Sequence, residues 1–297
     1  MQDGTLNAQR PTPNDQSDGP PPIIRLENLH KRFGTLLVLD DVSLDIEAGR
    51  TIVILGPSGT GKSVLLKHIV GLLRPDRGRV FFEGKRVDKM AERDLDEVRQ
   101  NFGFLFQMGA LFDSLNNLQN VAFPILEHSN AKPDEAFRIA QEKLKMVGLP
   151  DVGQKMPAEL SGGQRKRVAL ARAIAMGPKV ILYDEPTTGL DPVRSDVINE
   201  LILKLQRELD VTSIVVTHDM VSAFKVADRM VLLDKGNIRF DGTPEEIRQT
   251  EDPIVKQFIS GEASEKDLAQ LMGDREAGEI KRHPPARKPN ISATEHG

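Results

Sequence analysis

The run Gly56, Pro57, Ser58, Gly59, Thr60, Gly61, Lys62 and Ser63 constrains the fold more than any other part of this chain. It matches G-x-x-x-x-G-K-[ST] in full, with the apolar run TIVIL before it and the helically spaced SVLLKHIVGLL after it. A buried strand that enters a glycine-rich loop and leaves as a helix turns several backbone N–H groups toward one point. That geometry suits a phosphate. Lys62 is then expected to reach the β- and γ-phosphates and the Ser63 hydroxyl to bind Mg²⁺.

The rest of the pattern agrees with a parallel sheet. TIVIL, KVILYDE and TSIVVTHD are continuous apolar runs, as strands covered on both faces require. Near the N-terminus the pattern alternates instead. VSLDI puts Val42, Leu44 and Ile46 on one face, and RVFFEGKRV reads as a hairpin turning at Glu83-Gly84. A second hairpin, MVLLDKGNIRF, turns at Lys235-Gly236. Between about 108 and 178 no parallel strand is evident. PDEAFRIAQEKLKMV starts a helix at Pro133, so this region reads as a helical insertion.

Two further stretches carry chemistry. VILYDEP ends a buried strand in two carboxylates: Asp184 as a candidate Mg²⁺ ligand, and Glu185 as a candidate base for a water facing the γ-phosphate. His218 ends TSIVVTHD, where an imidazole could contact a γ-phosphate. The other five histidines, at 30, 68, 128, 283 and 296, are read as structural or solvated. LSGGQ, from Leu160 to Gln164, looks like a second anion cradle: Ser161 can cap a helix, and Gly162 and Gly163 allow close approach. Spacing alone leaves open whether it serves the Lys62 loop of its own chain or another.

Composition narrows the classes. With 28% charged residues and a net charge of −4, the chain lacks the basic bias of a nucleic-acid binder. No cysteine is present for disulfides or thiolate metal sites. No run reaches the length of a membrane span, and residues 1–22 are polar with five prolines, which reads as a disordered tail rather than a secretory signal. Residues 262–297 read as a largely disordered extension in which EKDLAQLM could form a short helix.

Together these motifs resemble the ATPase subunits of ABC transporters over roughly 23–260, with the ATPase domain taken as 23–261. The resemblance implies an α/β P-loop core with an antiparallel β subdomain and a helical subdomain, an ATP and Mg²⁺ requirement, and a homodimer. In that family the LSGGQ segment, here Ser161, Gly162, Gly163 and Gln164, closes over the phosphate held by the partner's loop. Gln107 matches a glutamine that contacts Mg²⁺ and the attacking water, Asp191 in GLDP the D-loop aspartate, and His218 the switch histidine. Phe33 falls where an aromatic ring, more often Tyr, stacks on adenine.

The stretch QMGALFDSLNNLQNVAFPI is similar to Mla/MCE-type phospholipid transporter ATPases. Within 101–126 the only charge is Asp113, and five of the twelve phenylalanines lie there, at 102, 104, 106, 112 and 123. The resemblance implies a groove for a permease helix; part of 108–123 is expected to form that apolar patch, with Leu111 and Phe112 chosen as anchors. It also implies an MCE-type lipid-binding subunit, a small cytoplasmic accessory subunit and a place at the cytoplasmic face of the inner membrane. The competing readings are an amino-acid or metal-ion import ATPase, a soluble ABC protein acting on ribosomes or DNA, and a regulatory protein that binds ATP but barely hydrolyses it.

Overall fold

A computed structural model describes residues 21–262 of the chain. Two compact units divide at Thr250–Glu251, ahead of the domain end at 261 expected from sequence. In the second unit the helix α9 (Pro253–Ser260) begins at an Asp252 N-cap. The expected tails and the EKDLAQLM helix lie outside the described residues.

The first unit is built on two sheets. One is antiparallel: β1 (Ile24–Phe33) lies between β2 (Leu36–Ile46) and β4 (Arg77–Phe82), and β4 pairs with the short β5 (Lys85–Arg86). Val42, Leu44 and Ile46 are buried on one face of β2, as the alternation requires. Glu83 and Gly84 both take positive φ in the β4–β5 turn, the conformation a two-residue hairpin demands.

The second sheet is mainly parallel and has the order β10-β9-β3-β8-β7-β6. Its centre is β3 (Thr51–Leu55) and β8 (Thr212–Val216), every residue of which is buried, flanked by β7 (Val180–Asp184). The outer parallel strands are β6 (Phe102–Leu105) and β9 (Arg229–Asp234), and β10 (Asn237–Gly242) closes one edge as a hairpin with β9. Sequence patterning did not reveal β6 as a strand. Four residues that include a glycine give too short a period to read.

Helix α1 (Lys62–Ile69) leaves the glycine-rich loop and joins a core cluster with residues of both sheets, among them Leu26, Val42, Ile54, Leu65, Leu182 and Val231. Helix α2 (Glu92–Arg99) precedes β6. The insertion contains α3 (Asn117–His128), α4 (Pro133–Met146, with Pro133 first) and α5 (Gly162–Ala173), and no strand occurs between 108 and 178. Helices α6 (Pro192–Leu209), α7 (Met220–Val226) and α8 (Pro244–Gln249) complete the unit. Among the described residues no helix is long and apolar enough to cross a membrane.

Strand β6 is pressed against the end of α5. A Cβ placed on Gly103 would lie 2.4 Å from the Ala173 carbonyl oxygen. Gly103→Ala therefore forces backbone to move, and a loss of about 1–3 kcal/mol is expected. Thermal unfolding measures it; an unchanged midpoint would show that β6 and α5 separate without cost.

Candidate functional site

The loop 56–63 starts where β3 ends and finishes as the first turn of α1. Its glycines are required by position. Gly56 has φ +149°, and a Cβ there would lie 2.3 Å from the Leu233 carbonyl oxygen. Gly61 takes φ +101° as the N-cap of α1, with the Val38 carbonyl 2.9 Å from where a Cβ would sit. Thr60 Oγ1 donates to the Pro57 carbonyl (2.9 Å), tightening the loop. Lys62 folds back over it, its Nζ donating to Gly56 O (2.7 Å) and Pro57 O (2.9 Å). Burial lowers the Lys62 pKa, while Glu185 and Asp184 oppose that shift. Ser58, Gly59 and Ser63 are exposed on the loop's outer side.

The two carboxylates come from the end of β7. Asp184 is half-buried, and burial first, then the neighbouring Glu185, pushes its pKa up; Lys62 and Lys67 pull it down. Glu185 has φ +51°, a left-handed conformation that costs a residue with a side chain on the order of 1–3 kcal/mol. Its N–H donates to Val216 O (2.8 Å). Its carboxylate accepts from Thr188 Oγ1 (3.2 Å), and Thr217 Oγ1 stands at 3.5 Å. His218 Nδ1 lies 2.9 Å from Glu185 Oε1, while its ring is mostly exposed. The structure thus brings His218 and Glu185 together in one chain.

Oxygen donors suit a small hard cation. Among the described residues no three His, Asp or Glu side chains form a cluster able to hold a metal by themselves. Ser63 and Asp184 fit Mg²⁺ only as a partial set, in the manner of an ion that keeps waters and is shared with nucleotide phosphates. Gln107 follows β6 and is exposed.

The LSGGQ segment is the start of α5. Ser161 is its N-cap, and the capping box is reciprocal: Gln164 N donates to Ser161 Oγ (3.3 Å) and Ser161 N to Gln164 Oε1 (3.0 Å). Gly162 faces Leu190 and Gly163 faces Arg194. Asp191 caps α6, accepting from Arg194 N (2.9 Å). Phe33 ends β1 with an exposed ring, and Lys31 Nζ lies 5.5 Å from its centroid.

Several residues at the site were not foreseen. Lys166 is buried, and its Nζ donates to Glu185 O (3.3 Å), Pro186 O (2.7 Å) and Thr188 O (2.8 Å). The available signal was its place on the buried stripe Gly163, Lys166, Leu170 of α5. Asp219 caps α7 and accepts from Thr187 Oγ1 (3.2 Å) and Ser222 Oγ (2.6 Å), tying β8 to the segment after β7.

A second feature lies on the insertion side. All five phenylalanines of 101–126 line one open cleft of about 480 Å³. Phe104 and Phe106 stack at 4.1 Å, and Phe112 meets Phe123 at 4.8 Å. Arg172 donates to Ala110 O (2.8 Å) and Gly109 O (3.0 Å), with its guanidinium 5.7 Å from the Phe112 ring centre. Phe106 and Phe112 remain over 40% exposed, so the cleft is open surface as well as core (44% and 43%). Phe112 lines this cleft and Leu111, half-buried beside it, does not.

The family described as ABC transporter matches residues 39–188. The chain is 42% identical over 241 residues to the Haemophilus influenzae intermembrane phospholipid transport system ATP-binding protein MlaF, covering 81% of this chain and 91% of that one. It is 44% identical over 238 residues to the Mycobacterium leprae probable ribonucleotide transport ATP-binding protein mkl, covering 80% and 69%. Among solved structures, a dimeric ATP-binding cassette in a post-hydrolysis state with ADP and Pi aligns with TM-score 0.68 and 34% identity, over 74% of this chain and 98% of that one. A Clostridium perfringens component of the ABC transporter complex cbiONQ aligns with TM-score 0.73 and 31% identity, over 80% and 95%.

The raised pKa of Asp184 has a sign that can be tested. Its folded-state pKa exceeds its unfolded value, so ionisation destabilises the nucleotide-free fold as pH rises through the folded pKa. Asp184→Asn removes that penalty. The variant is expected to melt higher than wild type at neutral pH without nucleotide, with the gain shrinking as acid protonates Asp184. A constant gain across pH would contradict the assignment.

Proposed function

Because this chain belongs to the ABC transporter family as one of its ATPases, we propose that it drives phospholipid transport between inner and outer membranes through a partner permease. The observation that carries the enzymatic part is the convergence of Lys62, Asp184, Glu185 and His218 on the loop that follows β3. ATP lies with its phosphates on Gly56–Ser63 and its adenine against Phe33. Ser63, Asp184 and Gln107 would hold Mg²⁺, which would supply positive charge to offset that of the phosphates.

Glu185 is the general base. Its carboxylate is held by Thr188, Thr217 and His218, which limits how it can turn away from a water. His218 bridges that base and the γ-phosphate. The start of α5 sits beside Leu190 and Arg194, and Ser161–Gln164 with Asp191 act across a homodimer on the partner's nucleotide. The dimeric solved relative supports this arrangement.

The phenylalanine cleft receives a cytoplasmic helix of the permease, and Phe106 and Phe112 are the anchors. The phospholipid reading is supported by the MlaF-named relative, almost all of whose length this chain covers. An MCE-type lipid-binding subunit and a small accessory subunit complete the assembly at the cytoplasmic face of the inner membrane. The mycobacterial relatives are named for ribonucleotide transport, so substrate class is decided by experiment. Purification from the native membranes, with mass spectrometry of bound proteins and extracted lipids, is expected to find a permease, an MCE subunit and phospholipid. A nucleotide-binding partner in their place overturns the lipid assignment.

Two variants test the parts separately. Glu185→Gln keeps the size of the side chain and removes the base. It is expected to bind ATP, to accumulate as an ATP-bound dimer, and to slow hydrolysis at least about 10²-fold in the native complex. Wild-type turnover would remove Glu185 from the role. Phe112→Glu puts a carboxylate in place of an apolar ring at the contact and is expected to weaken permease copurification more than about tenfold with little change in thermal midpoint. A large fall in the midpoint would show Phe112 to be core, and normal copurification would place the docking surface elsewhere.

A further inference from the structure

Lys166 is a buried cation with no acidic side chain in hydrogen-bond contact. Its three ammonium donors are matched to three carbonyl oxygens, of Glu185, Pro186 and Thr188, all in the turn that follows β7. Converging backbone dipoles hold the buried ammonium; burial pulls its pKa below the ordinary lysine range, and the nearby Glu185 charge opposes that shift. Only the charged form has three N–H donors, so a neutral amine leaves one carbonyl unpaired.

The turn it grips is the one that needs support. Glu185 holds a left-handed backbone (φ +51°), and the carbonyl of that same residue is one of the three. The other tie at the carbonyl is Thr188 N, at 3.2 Å. A left-handed residue with a full side chain persists only where its surroundings over-determine it. The carboxylate then follows the backbone. With φ fixed, the side chain leaves the turn toward Thr188 Oγ1, Thr217 Oγ1 and His218 Nδ1.

We propose that Lys166 is a positioning residue for the reaction: it holds the 185–188 turn so that the Glu185 carboxylate stays aimed at the attacking water. This rests on the reading of Glu185 as the base. Lys166 hydrogen-bonds only backbone of its own chain, so it acts through Glu185, by holding the turn and by its charge beside the carboxylate. ATP binding, which is carried by the loop 56–63, does not depend on it.

The experiment uses the full chain in its native complex, with Lys166→Met, which keeps the stem and loses the donors, and Lys166→Gln, which keeps an N–H donor. Lys166→Met is expected to lower kcat by about 10- to 10²-fold, the scale of a misplaced catalytic group, with KM for ATP within about twofold of wild type. Lys166→Gln is expected to recover a substantial part of that loss. Single-turnover hydrolysis of Glu185→Gln and of the double variant Glu185→Gln, Lys166→Met separates this idea from its premise. If Lys166 acts through the base, the double variant is no slower than Glu185→Gln alone. An additive loss overturns the positioning role, and so does Lys166→Met with wild-type kcat. Wild-type hydrolysis by Glu185→Gln instead overturns the base assignment itself. Should Lys166→Met fail to fold, the same comparison is made with Lys166→Gln, whose kcat must fall while its KM holds.

Discussion

The register of β3, β7 and β8 is the constraint from which the site follows. Ile54 of β3 and Asp184 of β7 are both paired with Val216 of β8, so three parallel strands end level with one another. Whatever follows each strand therefore emerges at the same height: the glycine-rich loop from β3, Asp184 and Glu185 from β7, Thr217 and His218 from β8. Lateral bonds continue the ladder past the strand ends, from Glu185 N to Val216 O and from Thr217 N to Ile54 O. A one-residue slip in either pairing would turn the carboxylates to the opposite face of the sheet. The apolar side chains of these strands thus do chemical service: they set which polar residue is carried to the rim.

Much of this was legible in the sequence because the responsible signals are short and strong. A five-residue apolar run before a glycine-rich loop admits few structures, and TIVIL, VILYD and TSIVV are the central strands. Ser161 capping α5 and Pro133 opening α4 follow from local chemistry alone. What escaped notice depends on contacts distant in the chain. Strand β6 is defined by its pairing with β7, about eighty residues on, and FGFL carries no period of its own. Lys166 escaped because a charge within KR-rich text reads as solvated, and only the fold supplies the carbonyls that make burial tolerable.

The phenylalanine-rich segment falls between these cases. Its low charge marked it as buried or docked, and the structure leaves it partly buried and partly open. Phe102 packs on Phe82 of the antiparallel sheet while Phe106 and Phe112 stay open to solvent. How the loop around Leu111 and Phe112 is held needed coordinates. Asn120 holds it, by accepting from the Phe112 N–H (2.8 Å) and donating to the Phe112 and Leu115 carbonyls (3.0 Å each).

Helix α5 is attached at three heights. Its N-terminal turn carries the Ser161–Gln164 capping box, its second turn reaches Glu185 through Lys166, and its last turn abuts Gly103 and grips the carbonyls of Gly109 and Ala110 through Arg172. These attachments span one unbroken helix of 12 residues, about 18 Å long, without proline. A rod of that kind has no soft joint in which a displacement can be absorbed. Mechanically, the floor of the aromatic cleft, the 185–188 turn and the Ser161–Gln164 turn are tied to one stiff body, so a load applied at the cleft is borne at the other two.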